Sequence, residues 1–134
     1  MKIGTKVKNF KAEMTGKADF NLADYKGKRI VIYFYPRDNT PGCTSEGEDF
    51  RDNYKLFKKM KTEIFGVSKD SLKSHEGFKE KFKFPFELIS DPDEKVCKIF
   101  DVIKEKSMYG KKYMGIERST FLIDSKGKLI EEWR

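Results

Sequence analysis

VIYFYPRDNTPGC, residues 31–43, carries an apolar strand straight into a turn that presents a lone thiol at the start of a helix. Residues 29–35 are β-branched and aromatic, long enough for a fully buried strand, and Pro36 closes it because a proline cannot continue a central ladder. Asp38-Asn39-Thr40-Pro41-Gly42 is a dense cluster of turn formers. Phe50, Tyr54, Phe57 and Met60 then recur at helical spacing, which predicts a helix from about Cys43 to Lys59. With Thr40 as N-cap and Pro41 at N1, Cys43 falls at N3, inside the first turn. Free backbone N–H groups and the positive end of the helix dipole favour an anion there, which suits a nucleophilic thiolate. The same residues also fit ordinary capping around a small buried cysteine, and spacing alone leaves both readings open.

A chain of 134 residues suits one domain with one core, and twelve Phe supply that core despite a charged fraction of 38%. The net charge is +7, but Lys and Arg are interleaved with Asp and Glu along the whole length. The densest basic group, Lys55, Lys58, Lys59 and Lys61, has no nucleic-acid motif beside it and reads as a solvated face that could steer an acidic partner or an anionic substrate. Two cysteines, Cys43 and Cys97, are too few for a disulfide scaffold, no signal segment opens the chain and no apolar run reaches membrane-spanning length, so a cytoplasmic place is expected. The single histidine, His75, sits in a polar helical stretch without a Cys or His at metal-ligand spacing, which predicts a surface residue and no metal site. Hydrolase chemistry of the Cys-His-Asn kind would require His75 to meet Cys43, and nothing in the sequence brings them together. G-x-S-x-G, Walker A and G-x-G-x-x-G patterns are all lacking.

Residues 7–14 and 20–23 read as strands around the turn Thr15-Gly16-Lys17, an N-terminal hairpin. Gly47 stands inside the first helix at a cost of about 1 kcal/mol relative to Ala. Further strands are expected at 63–67 and 86–89, and helices at about 71–82 and after Pro92, the latter carrying Val96, Ile99 and Phe100. A closing hairpin pairs 119–123 with 129–133 across Asp124-Ser125-Lys126-Gly127. The expectation is an α/β fold with a mixed central sheet flanked by helices. Strand, turn, cysteine at a helix start and a terminal hairpin is the order of a thioredoxin-like fold. Cys43-Thr44-Ser45-Glu46 is not C-x-x-C, however, so a dithiol exchange role is disfavoured.

Pro36-x-x-x-Thr40-x-x-Cys43 resembles the active-site signature of the peroxiredoxins. With YFYPRDNTPGCTSE at 33–46, LISDPDEKV at 88–96 and MYGKKYMGIERSTFLID at 108–124, nearly the whole chain is similar to the Q-type, or bacterioferritin co-migratory protein, subfamily. That resemblance implies a peroxidatic Cys43, a Thr40 that hydrogen-bonds peroxide or thiolate, a Pro36 that shields the pocket, an Arg118 that arrives from a distant strand, and a Glu46 that orients it. It implies a thiol-dependent peroxidase for hydrogen peroxide and organic hydroperoxides, without cofactor or metal, re-reduced by thioredoxin, glutaredoxin or glutathione. The alternative is a redox-sensing or holdase-like interaction protein switched by oxidation of Cys43, and a third class is a catalytically silent thioredoxin-like binding module. The chemistry agrees with the first: charge moves from sulfur to the departing oxygen, and Arg118 and Thr40 are suited to follow it. Complete ionisation of a cysteine that is a few per cent thiolate at pH 7 gains at most about 30-fold, roughly 2 kcal/mol, so fixed donors must supply the rest.

The sequence departs from the family pattern twice. Many relatives carry a resolving cysteine five residues after the peroxidatic one, where this chain has Glu48. Cys97 is then the one possible internal resolver, and a one-cysteine cycle with an external thiol is the favoured expectation. Relatives also continue into a C-terminal helix, whereas this sequence stops at Trp133-Arg134: either it is cut short there or one face of the sheet is left for a partner to cover, and the expectation is a single domain over 1–134 without that helix, acting as a monomer or weak dimer.

Overall fold

The computed structural model describes residues 1–134 and is built on one seven-stranded mixed sheet. In chain order come β1 (Lys11–Met14), β2 (Ala18–Asn21), β3 (Arg29–Phe34), α1 (Pro41–Asp52), α2 (Tyr54–Lys59), β4 (Thr62–Ser68), α3 (Leu72–Phe82), β5 (Glu87–Ser90), α4 (Lys95–Ile99), β6 (Ile103–Met108), β7 (Lys111–Ile116), β8 (Ser119–Ile123) and β9 (Leu129–Trp133). The sheet order is β2-β1-β5-β4-β3-β8-β9, with β3, β4 and β5 parallel and the strands outside them antiparallel to their neighbours. No helix is long and apolar enough to cross a membrane.

Because side chains alternate along a strand, β3 feeds two cores. Ile30, Ile32 and Phe34 join Phe65, Val96, Cys97, Phe100 and Phe121 on one face. Val31, Tyr33 and Tyr35 join Cys43, Ile64, Phe78, Phe84 and Phe86 on the other. The sheet therefore stands between the two cysteines.

Several elements differ from the sequence reading. The N-terminal hairpin is shorter than expected, since Val7 and Phe10 are buried ahead of β1 and Leu22–Tyr25 forms a 3-10 turn rather than strand. The long helix is two, α1 and α2, broken at Asn53, whose side chain donates to the Asp49 carbonyl at 2.8 Å and competes with the helix ladder. β6 and β7 form a separate antiparallel ribbon turning at Tyr109-Gly110, both at positive φ. No strand was expected there, because lysines interrupt the apolar alternation. His75 is the largest departure: it is fully buried, not a surface residue.

Gly47 has a structural reason. α1 lies so close to Phe84 that a Cβ at position 47 would come within 2.5 Å of the ring. That ring is stacked on Phe86 at 5.2 Å and meets Phe78 edge-on at 5.0 Å, so it has nowhere to move. Gly47→Ala should therefore lower stability by about 1 kcal/mol or more in urea unfolding, although Ala is the better helix former. A gain in stability would show that the close approach is not required.

Candidate active site

α1 begins where the sequence placed it, with Thr40 as N-cap, Pro41 at N1 and Cys43 at N3. Pro41 has no N–H to satisfy, and the Thr40 side chain does not cap the helix. Its hydroxyl donates instead to the Arg37 carbonyl at 3.0 Å. The amides of the first turn are thus left without a side-chain acceptor, in the place where a helix favours negative charge. Pro36 ends β3 and is exposed.

Cys43 is buried, with 2% exposure, against Tyr33, Tyr35 and the Phe78–Phe84–Phe86 cluster. One cation reaches its sulfur: Arg118 Nη2 donates to Sγ at 3.1 Å across 75 residues of sequence. The guanidinium passes close to Gly42, where a Cβ would stand in van der Waals contact with Nη2 at 3.4 Å. The other arm is fixed as well, Nη1 donating to Glu46 Oε1 at 2.7 Å. Burial works against the charge on Arg118, but the hydrogen bonds and charges of Cys43 and Glu46 outweigh it and hold the guanidinium above its ordinary pKa. Glu46 is pushed up by its own partial burial, with Arg118 opposing. The structure thus gathers Cys43, Arg118 and Glu46 into one chain of contacts, with Thr40 at the helix start beside them.

Cys97 is not part of it. The residue is buried in the opposite core, on α4, where burial first and then the Asp91 and Glu94 carboxylates push its thiol pKa far above the ordinary range. It lies in the core on the other face of the sheet from Cys43. A cleft of about 680 Å³ opens beside Gly42, Glu46 and Arg118 and runs along α1 and α2 past Phe50, Leu56, Phe57 and Met60.

A second polar cluster was missed by sequence reasoning. His75 Nδ1 lies 2.8 Å from Asp38 Oδ2 and its Nε2 lies 2.9 Å from the Ile89 carbonyl. A signal was available, because His75, Phe78 and Phe82 share one stripe of α3 at helical spacing, and the last two are apolar.

The AhpC/TSA family model matches residues 3–132. Peroxiredoxin Bcp of Bacillus subtilis (strain 168) is 51% identical over all of this chain and 85% of its own length. Peroxiredoxin Bcp of Xanthomonas campestris is 51% identical over 90% of the chain and 76% of its own. Among solved structures, a cysteine-to-serine mutant of Xylella fastidiosa PrxQ superposes with a TM-score of 0.95 at 44% identity, covering 100% of this chain and 86% of that one. The Xanthomonas campestris bacterioferritin comigratory protein, described for its alkyl peroxide reduction activity, gives 0.89 at 49% identity over 93% and 80%.

Arg118 touches the sulfur but is itself well exposed. Its loss should therefore leave the melting temperature nearly unchanged and lower the second-order rate of peroxide consumption by about 10²–10³, as for other donors aimed at developing charge. Stopped-flow kinetics of Arg118→Ala at wild-type speed would remove Arg118 from the reaction.

Proposed function

The chain belongs to the AhpC/TSA family, in its peroxiredoxin Q (Bcp) branch of thiol peroxidases, and on that premise we propose that Cys43 is the group that attacks peroxide. The observation that carries this reading is the Arg118 guanidinium held on the Cys43 sulfur at 3.1 Å. The substrate is a peroxide and the reductant a thiol, as for the family.

The sulfur attacks one peroxide oxygen along the O–O axis; the O–O bond breaks as the S–O bond forms, and the second oxygen leaves as hydroxide or alkoxide and takes up a proton. Cys43 becomes a sulfenic acid. Arg118 stays charged throughout, so its field follows the negative charge from sulfur to the departing oxygen. Glu46 holds one arm of the guanidinium and leaves the other for the reacting atoms. The Thr40 proton is committed to the Arg37 carbonyl, so toward a bound peroxide its oxygen acts as acceptor and orients the peroxide O–H. Pro36 stops the strand and sets where the turn begins. The apolar cleft beside Arg118 suits the hydrocarbon part of an organic hydroperoxide, with hydrogen peroxide as the smaller substrate.

A second thiol must then condense with the sulfenic acid, releasing water and forming a disulfide, and a further thiol must reduce that disulfide. Cys97 is a poor candidate, because a disulfide needs Cα atoms within about 7 Å and the sheet lies between the two residues. We therefore assign a one-cysteine cycle with an external thiol of the thioredoxin, glutaredoxin or glutathione kind, in a single domain over 1–134, monomeric or weakly dimeric and cytoplasmic.

Cys43→Ser should abolish peroxide consumption with the fold kept. Wild-type protein given one equivalent of peroxide should gain one oxygen in intact mass, and excess peroxide should carry it on to the sulfinic acid because no internal thiol intercepts it. A dominant Cys43–Cys97 peptide on non-reducing mass spectrometry, lost with turnover in Cys97→Ser, would replace this cycle with a two-cysteine one.

A further inference from the structure

Between the end of β3 and the start of α1 the chain is tied down by a buried carboxylate. Asp38 Oδ1 accepts from the Tyr35 hydroxyl at 2.6 Å, and Oδ2 accepts from the Ser74 hydroxyl at 2.7 Å and faces His75 Nδ1 at 2.8 Å. Its backbone N–H donates to Asp70 Oδ2 at 2.9 Å, and that oxygen also receives the Ser68 hydroxyl at 2.5 Å. His75 is 0% exposed and Asp38 is 6% exposed. Asp38, Asp70 and His75 bring ligand-type atoms within 4.8 Å of one another, but Asp38 and His75 are engaged on both their polar side-chain atoms and Asp70 through the oxygen it turns inward. The cluster is a closed hydrogen-bond network, not a cation site.

The partners assign the protons. Nε2 faces a carbonyl, so it carries a hydrogen; Nδ1 faces a carboxylate, so one further proton lies between them. Whichever atom holds it, the pair as a unit is neutral, which is how two ionisable groups can stay fully inside. Asp38 stands two residues before Thr40 and five before Cys43, and Asn39 between them is at φ +63°. The fixed carboxylate and the left-handed turn therefore set the direction in which Thr40 and Cys43 leave the sheet. The other end of the tie is rigid, being α3 through Ser74 and His75 and β5 through the Ile89 carbonyl.

Resting on the reading of Cys43 as the reacting group, we propose that Asp38 and His75 are positioning residues for peroxide reduction: their buried pair holds the turn so that Cys43 meets Arg118 and Thr40 presents its oxygen. They touch no reacting atom and act through the geometry of residues 38–43. A displacement on the ångström scale is enough to matter, since such shifts cost up to about 10²-fold in rate.

Two substitutions separate positioning from plain stabilisation. In His75→Asn the amide nitrogen stands where Nδ1 stood and still reaches Asp38, while the bond to Ile89 is lost. In His75→Gln the amide nitrogen replaces Nε2 and the bond to Asp38 is lost. Each loses one buried hydrogen bond and, equally, the proton that neutralises the pair, so melting temperatures should fall by similar amounts. The second-order rate constant for oxidation of Cys43 by hydrogen peroxide, read by quenched flow and intact mass, should stay within about threefold for His75→Asn and fall about tenfold or more for His75→Gln. Asp38→Asn should behave like His75→Gln. If His75→Gln does not fold, Tyr35→Phe, which removes one donor to Asp38 and keeps the ring, should still slow oxidation several-fold. Equal rates for the Asn and Gln variants, rates that simply follow melting temperature, or an unchanged Tyr35→Phe would each make the network structural only. Peroxide consumption persisting at wild-type rate in Cys43→Ser would instead overturn the assignment of Cys43.

Discussion

The sulfur of Cys43 meets one charge, Arg118, and most of the sheet's order serves that contact. Phe34, the last residue of β3, pairs with Ser119, the first of β8, so Arg118 stands just beyond the ladder at the end where Cys43 leaves it. Thr120 and Leu122 lie on the α1 face, and Phe121 and Ile123 lie in the opposite core. Arg118 follows the parity of the first pair. A slip of one residue between β3 and β8 would turn every one of these side chains over and carry Arg118 to the face of Cys97. The burial of Phe121 and Ile123 at 0% and 1% exposure makes that slip expensive, so ordinary hydrophobic packing fixes the cation opposite the sulfur.

What the sequence disclosed follows the range of the interactions. The strand end at Pro36, the N-cap at Thr40 and the N3 place of Cys43 are set by neighbours within a few residues, and all are readable from turn and capping chemistry. The helix break at Asn53 is also local but subtler, because a single side chain competing with the ladder does not alter the apolar spacing of Phe50, Tyr54 and Phe57. Arg118 is different. Nothing near it in sequence marks it, and it was reached through the resemblance rather than through any pattern of its own. His75 was misread because its partner, Asp38, lies 37 residues away and because a histidine among Lys, Ser and Glu looks solvated until the helix stripe is traced. Gly47 looked like a defect for the same reason: its justification is the Phe84 ring, which belongs to another segment.

Both cysteines occupy the same position in a helix, N3 of α1 for Cys43 and N3 of α4 for Cys97, and both are buried. A shared helix position therefore does not give the two thiols the same surroundings. At α4 the anion site is already filled: the Asp91 carboxylate accepts from the Val96 and Cys97 N–H groups at 3.1 and 2.8 Å, and its charge then opposes a second anion on the sulfur. At α1 the residue that could have filled it, Thr40, turns its hydroxyl to Arg37, and Pro41 supplies no N–H in need of a partner. A guanidinium donates to the sulfur here, whereas a carboxylate occupies the first-turn amides in the other case. With burial common to both, the two cysteines differ in the cap: a carboxylate over one helix end, and a hydroxyl turned away with a cation brought in over the other.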